Sequence, residues 1–399
     1  MRLIGTASTV FAIVLWSVVL GVDRPEANQL NGRQIFRFDT FGDEQLWTDF
    51  LRMHEVVAAL DPETALGVGL KVDVRALPRS TVEALRADDV DLTSPAVTNL
   101  LLRLDAVVGV KGTFDDAGRL TRVGITCALC HSTVDNSLLP GIGRRLDGWA
   151  NRDLNVGAIL ALSPALPEAL KTEFKAWGRG KYDPRHHAFD GTNLIALNSP
   201  SLPIVIPSIF GLRGVGFETF TADGPISYWN SYVAVGQMGG HGSFSDRRIG
   251  LSITQEPDLV TPKLGALLDY QLRLRAPEPP PDSFDRGAAV RGRRLFRGAA
   301  GCASCHQRPL LTDVRDGPRR REPFLHDPAE VGMDPRYAER SATGKYRTTP
   351  LRALWQHPPY FHDGSAPDLP AVVAHYDRLF SLSLTDGQKS DLVEYLKSL

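Results

Sequence analysis

Residues 107–127 read VVGVKGTFDDAGRLTRVGITC, with apolar and polar positions alternating on either side of Asp115, Asp116 and Gly118. That is the pattern of two strands joined by a tight turn, and it predicts a hairpin running straight into Cys127. Elsewhere the period is helical. In residues 283–296, SFDRGAAVRGRRLF, the residues Ala289, Gly292 and Phe296 share one face behind a capping-type start. Near the end of the chain, Thr385 and Gln388 stand in capping-box register while Leu392, Leu396 and Leu399 line one side. Gly292 is small enough to let two helices cross closely. Further helical stretches are expected within residues 43–59 and 164–177. Residues 191–250 are rich in Gly, Pro, Ser and aromatics, a composition that reads as loops lying over something flat and apolar.

The sharpest break is APEPPPDS at residues 276–283, a stiff proline-rich connector. It divides the chain into a larger first domain, 28–275, and a compact second one, 284–399. At the start, one Arg precedes an almost uncharged apolar run from residue 3 to 22, which is export chemistry. A cleaved signal peptide over residues 1–22 and an uncleaved anchor at residues 3–22 both fit. Either places the remainder in the periplasm or on the exterior of the cell envelope, touching membrane only through that anchor. With 399 residues, 43% hydrophobic and 23% charged, the composition is globular and excludes a disordered chain. A formal net charge of −1 gives no bulk electrostatic case for nucleic acid. The glycines are too scattered to cradle a phosphate.

All 4 cysteines fall in two copies of one pattern, CALCH at residues 127–131 and CASCH at 302–306. Exported proteins usually spend cysteine on disulfides, but two cysteines three apart are poor partners and a bridge leaves the following His unexplained. A structural zinc site needs four ligands in one place, and these pairs lie far apart in the sequence. On one helical turn, positions i and i+3 present both sulfurs to the vinyl groups of one haem, and the next residue brings its imidazole under the iron. Cys-x-x-Cys-His is the attachment signature of c-type haem, and this composition makes one chance copy an event of probability about 0.001. Cys127, Cys130, Cys302 and Cys305 are therefore read as thioether anchors for two covalently bound haem c groups, with His131 and His306 as proximal iron ligands.

Two capped helices flanking the second socket resemble the class I cytochrome c arrangement, in which the first and last helices pack together beside the haem. More specifically, residues 345–379, KYRTTPLRALWQHPPYFHDGSAPDLPAVVAHYDRL, resemble the C-terminal haem domain of the dihaem cytochrome c peroxidase and MauG superfamily. The resemblance rests on Thr349, Pro350, Leu351 and Arg352, on PYFHDG at residues 359–364, and on Val372, Val373 and Tyr376. Rubber-oxygenase relatives share a similar pattern. The resemblance implies a mainly α fold of two cytochrome c-like haem domains, with long loops and a few short strands in the first. It implies an oxidoreductase, with peroxidase-like reduction of hydrogen peroxide by electrons from a small redox protein as the leading activity. The alternatives are a non-catalytic electron carrier or dehydrogenase partner, and MauG-like or oxygenase-like oxidation of a bulky substrate.

What occupies the face opposite each proximal His decides between carrier and catalyst. On the helix after H-D-G, peroxidase members of the superfamily place an axial Met and MauG an axial Tyr. Here that helix offers Tyr376 and no Met, while Met333 is the competing thioether for the second iron. For the first, Met238 and His241 share a Gly-rich loop, with Gln237 and Glu218 as candidate proton acceptors in its distal pocket. Arg144 and Arg145 are candidate propionate partners and Trp149 a candidate neighbour of the porphyrin edge. The arginine run at 319–321 and the His186–His187 pair read as loop. Co-expression with a haem-ligation system should yield an intact mass carrying two haems, and Cys127→Ala/Cys130→Ala should remove one of them.

Overall fold

Capping and one small residue explain how the C-terminal part assembles. The structure is a computed structural model and describes residues 30–197, 200–314 and 323–399. Asp285 accepts a hydrogen bond from the Ala288 amide at 2.7 Å and starts the helix Arg286–Arg297. Thr385 and Gln388 form the reciprocal capping box that starts Asp386–Lys397. Both satisfy amide donors that the first helical turn leaves without partners. The two helices cross at Gly292, where a Cβ would sit 1.9 Å from the carbonyl oxygen of Asp391. Only a hydrogen atom fits there. Arg291 clamps the crossing from outside with a bidentate bond to Asp391 at 2.9 and 2.6 Å. Inside, the Phe296 and Tyr395 rings meet at 5.2 Å. A third helix, Leu369–Leu379, capped by Asp368, adds Leu369 and Val373 to the same apolar cluster.

The predicted hairpin forms between strands Val110–Phe114 and Leu120–Ile125, with Gly118 in the left-handed region at φ +79°. Its exit is fixed by Asp43, a fully buried carboxylate that accepts from the Ile125 amide at 3.1 Å. Burial raises the Asp43 pKa well above the usual carboxylate range, and Glu44 beside it adds to the shift. Past the hairpin, strand Ser132–Val134 pairs with Arg145–Asp147, so the chain folds back across the first socket.

Helices and short strands are mixed, and every sheet among the described residues has two strands. Strands are not confined to the first part, because Leu325–His326 pairs with Tyr346–Arg347 in the second. Two-residue ladders there supply backbone partners where Gly and Pro prevent a helix. Within 43–59 the helix breaks in two, a π-helical turn Gln45–Phe50 and a helix Met53–Ala59, separated by Arg52 at φ +56°. Residues 164–177 contain the helix Glu168–Lys175. Residues 191–250 are not loop throughout, since Ile226–Tyr232 is a helix continued by the π-helical turn Val233–Gln237. Burial of Trp229 and of the fully enclosed Tyr232 outweighs the loop-like composition. Residues 276–283 carry neither helix nor strand.

Asn31–Leu399 form one unit holding a large apolar core before residue 276, a second after it, and a small cluster of Ile204, Tyr337, Ala338 and Tyr346 that joins them. Residues 1–22 lie outside the described ones. Among the described residues no helix is long and apolar enough to cross a membrane. Gly292→Ala should force the two helices apart and cost about 1–3 kcal/mol, read as a lower denaturant midpoint with an unchanged slope.

Candidate functional site

The first socket starts where the hairpin ends. Thr126 donates its amide to Gly109 O at 3.0 Å and its hydroxyl to Arg37 O at 3.1 Å. Gly109, at φ +78°, lets the strand approach the next turn so closely that a Cβ would lie 2.1 Å from the Leu129 amide nitrogen. One helical turn, Ala128–His131, follows and sets Cys127 and Cys130 three residues apart. The Nδ1 of His131 lies 3.0 Å from the carbonyl oxygen of Pro207. A carbonyl only accepts, so Nδ1 carries the proton and Nε2 is left with a free lone pair. Burial pushes the His131 pKa down to about 4, keeping the ring neutral at physiological pH. Burial also pushes both thiols up to about 12.

The second socket reaches the same chemistry from different local structure. Gly301, at φ +65°, turns the chain into a 3-10 turn, Cys302–Ser304, and the His306 amide donates to Cys302 O at 3.0 Å. His306 Nδ1 lies 3.0 Å from Leu311 O, and burial lowers the pKa of this ring too. Each socket thus offers a neutral imidazole with a fixed tautomer. Cys302, Cys305 and His306 line a cavity of about 490 Å³, within the range of small-molecule and cofactor sites. Its wall is mainly apolar, with Arg152 and Arg352 among its charged groups. Two thiols, a tautomer-fixed imidazole and guanidinium groups around an apolar cavity fit a haem, whose macrocycle is apolar and whose propionates are anionic.

Both candidates for the second iron, Tyr376 and Met333, line this cavity. The Tyr376 phenol is pushed up to about 12, first by burial and then by the thiols of Cys302 and Cys305. Its ring stacks on Phe380 at 5.9 Å. Met238 is not in a flexible loop; it closes the Val233–Gln237 turn, is buried, and its carbonyl accepts from Trp47 Nε1 at 3.0 Å. His241 has its Nδ1 2.8 Å from Pro257 O on the exposed side. Gln237 bonds both Tyr182 and Tyr232. Burial raises the Tyr182 pKa well above its ordinary value, and Tyr232 and then Cys130 add to the shift, so the Tyr182–Gln237 pair lies near the first socket.

Glu218 lies on the cavity of the second socket, paired with the buried Arg347 at 3.1 Å. Arg144 is exposed and pairs with Asp135 at 2.6 Å, whereas Arg145 is buried 3.4 Å from Asp73. Trp149 meets Trp355 edge to face at 5.8 Å. His186 and His187 are packed rings 4.0 Å apart, with His187 opening the strand His187–Phe189. The arginine run at 319–321 lies outside the described residues. Sequence reading missed Tyr182, Arg152 and the two carbonyl partners. Arg152 follows Trp149 closely, but nothing in its neighbourhood marks it as a cavity residue.

No protein-family model matches the chain. A cytochrome-c peroxidase (IdrP1) of Denitromonas iodatirespirans is 31% identical over 151 residues, 28% of this chain and 40% of that protein. The methylamine utilization protein MauG of Methylorubrum extorquens is 31% identical over 173 residues, 37% of this chain and 46% of that protein. The chain resembles the dihaem cytochrome c peroxidase and MauG superfamily. Proteins of this superfamily named for cytochrome c peroxidase and MauG are haem oxidoreductases, and the chain spans less than half the length of these two relatives. A solved MauG-like protein associated with microbial copper homeostasis aligns over 55% of this chain and 86% of its own at 20% identity, with a TM-score of 0.36. Within the stretch that resembles the superfamily, His362 of PYFHDG turns its Nε2 to the Tyr346 hydroxyl at 3.1 Å. Glu218→Ala should leave the Arg347 guanidinium buried without its carboxylate. The expected loss is about 3–5 kcal/mol in chemical unfolding.

Proposed function

We propose that this chain is an exported dihaem c-type cytochrome that reduces hydrogen peroxide with electrons from a small redox protein. Cys127 and Cys130 form the thioethers of one haem c and Cys302 and Cys305 those of the other. His131 and His306 are the proximal ligands. The domains at 28–275 and 284–399 each carry one haem, and the apolar run at residues 3–22 directs export. The observation that carries this reading is the repeated arrangement of two cysteines at i and i+3, followed by an imidazole whose Nδ1 faces a backbone carbonyl. Nothing in the folding of either segment alone asks for that combination twice.

A bound haem supplies one-electron redox chemistry and, where one face is open, a place for peroxide. The reaction is H₂O₂ + 2 H⁺ + 2 e⁻ → 2 H₂O, with both electrons drawn from the reduced partner. The chain's part is to hold the imidazoles neutral, exclude water with the apolar walls, and handle protons. Gln237, which accepts from the Tyr182 hydroxyl, is the candidate proton acceptor near the first socket. Tyr376 on the cavity wall, on a helix that has no Met, favours a second reading: MauG-like oxidation of a bulky substrate, in which Tyr376 would hold the second iron together with His306. Met333 is the thioether alternative, and Met238 is the candidate for the first iron.

Absorption and paramagnetic resonance of the holoprotein separate these readings. One high-spin and one low-spin iron, with peroxide turnover by a reduced small cytochrome, is the expected result. Two low-spin irons that bind neither cyanide nor carbon monoxide would make the protein a carrier. Under the second reading Tyr376→Phe alters the spectrum of the second iron while Met333→Leu leaves it unchanged.

A further inference from the structure

Arg152 comes from the segment that follows the first socket, yet it lines the cavity of the second. Its backbone is pinned next to the first haem anchor, because the Asn151 amide donates to Cys130 O at 2.8 Å and the Asn151 side chain to Gly69 O at 2.9 Å. Its Nη2 donates to the carbonyl oxygen of His357 at 3.2 Å. Nε and Nη1 are buried with no hydrogen-bond partner among the described residues, and no carboxylate pairs with the group there. The neighbouring Arg347 differs, because Glu218 and the Phe217 carbonyl occupy its fork.

A guanidinium stays charged at any physiological pH, so a buried one lacking an anion is strongly unfavourable. Burial does push the Arg152 pKa down, to about 10, which leaves it cationic. The cavity therefore holds a fixed positive fork facing a space suited to a largely apolar group with an anionic edge. A planar fork matches a carboxylate in a bidentate, charge-assisted bond. We propose that Arg152 binds a propionate of the second haem, so that the segment following the first socket anchors the cofactor of the second. This rests on the dihaem reading above. It makes the two halves interdependent, since the residue after Asn151, whose amide donates to the Cys130 carbonyl, sets the charge around the other iron.

The test is a spectroelectrochemical titration of the holoprotein, in buffer free of carboxylates so that no added acid competes for the fork. A guanidinium beside a propionate favours the reduced iron, so Arg152→Gln should lower the equilibrium constant for reduction of one haem at least tenfold, 59 mV for one electron. The other haem should move less than threefold. The released propionate should then titrate between about pH 5 and 8, giving that potential a pH dependence absent from the wild type. Of the titratable groups beside Arg152, Tyr360 is held up to about 12 and His357 down to about 4; Glu218, His326 and His362 also line the cavity, so the wild-type profile is the reference against which the added titration is read. Arg152→Lys, which keeps the charge and loses the fork, should fall between wild type and Arg152→Gln. It carries the test alone if Arg152→Gln does not mature. Two haems by intact mass with unmoved potentials and pH profiles overturn the anchor. A wild type lacking the second haem overturns the dihaem reading instead.

Discussion

Each site depends on one hydrogen bond, from an imidazole Nδ1–H to a backbone carbonyl. Without it, a His after Cys-x-x-Cys is free to rotate and to exchange tautomers. With it, one nitrogen is committed and the other is directed. The two acceptors arise differently. Pro207 O comes from a segment 76 residues from His131, whereas Leu311 O is 5 residues from His306. The first socket needs the segment around Pro207 in place, and the second takes its acceptor from the turn that follows it. Burial reinforces both, because an imidazole held out of water is kept unprotonated, with one ring nitrogen's lone pair free.

Around these bonds the fold uses close backbone approach rather than bulk. Gly109 lets the hairpin lie on the turn that carries Cys127 and Cys130, and Gly292 lets the terminal helices cross beside the second socket. In both places a methyl group would overlap main-chain atoms, which cannot move aside as a flexible side chain can. The apolar clusters then enclose the sockets, and charged groups are admitted mainly in pairs. Arg185 with Asp223, Arg340 with Asp183 and Arg347 with Glu218 are all buried pairs that tie segments distant in sequence. Such pairs contribute little net stability but lose much when one partner is removed, so they specify how the parts fit. Against that background the singly bonded Arg152 stands out.

The cavity also shows why carrier and catalyst are hard to separate by residue type. Tyr376 and Met333 both reach it, from a helix and from a loop. Tyr376 brings a phenol that burial keeps protonated, and Met333 packs with the cluster that joins the two cores.

The sockets, the hairpin into Cys127, the capping box at Thr385 and the close crossing at Gly292 were legible in the sequence, because each is set by residues within a few positions of one another. A spacing of three puts two sulfurs on one turn whatever surrounds it, and a cap acts within its own helix. The tertiary structure alone decided the rest. It split the helix expected over 43–59, built a helix inside a stretch that reads as loop, and moved Glu218 to the second cavity. It also supplied the Pro207 carbonyl and brought Arg152 across to the second socket. These are contacts between segments far apart in the chain, whose outcome depends on which surfaces are buried together, and no local pattern encodes that.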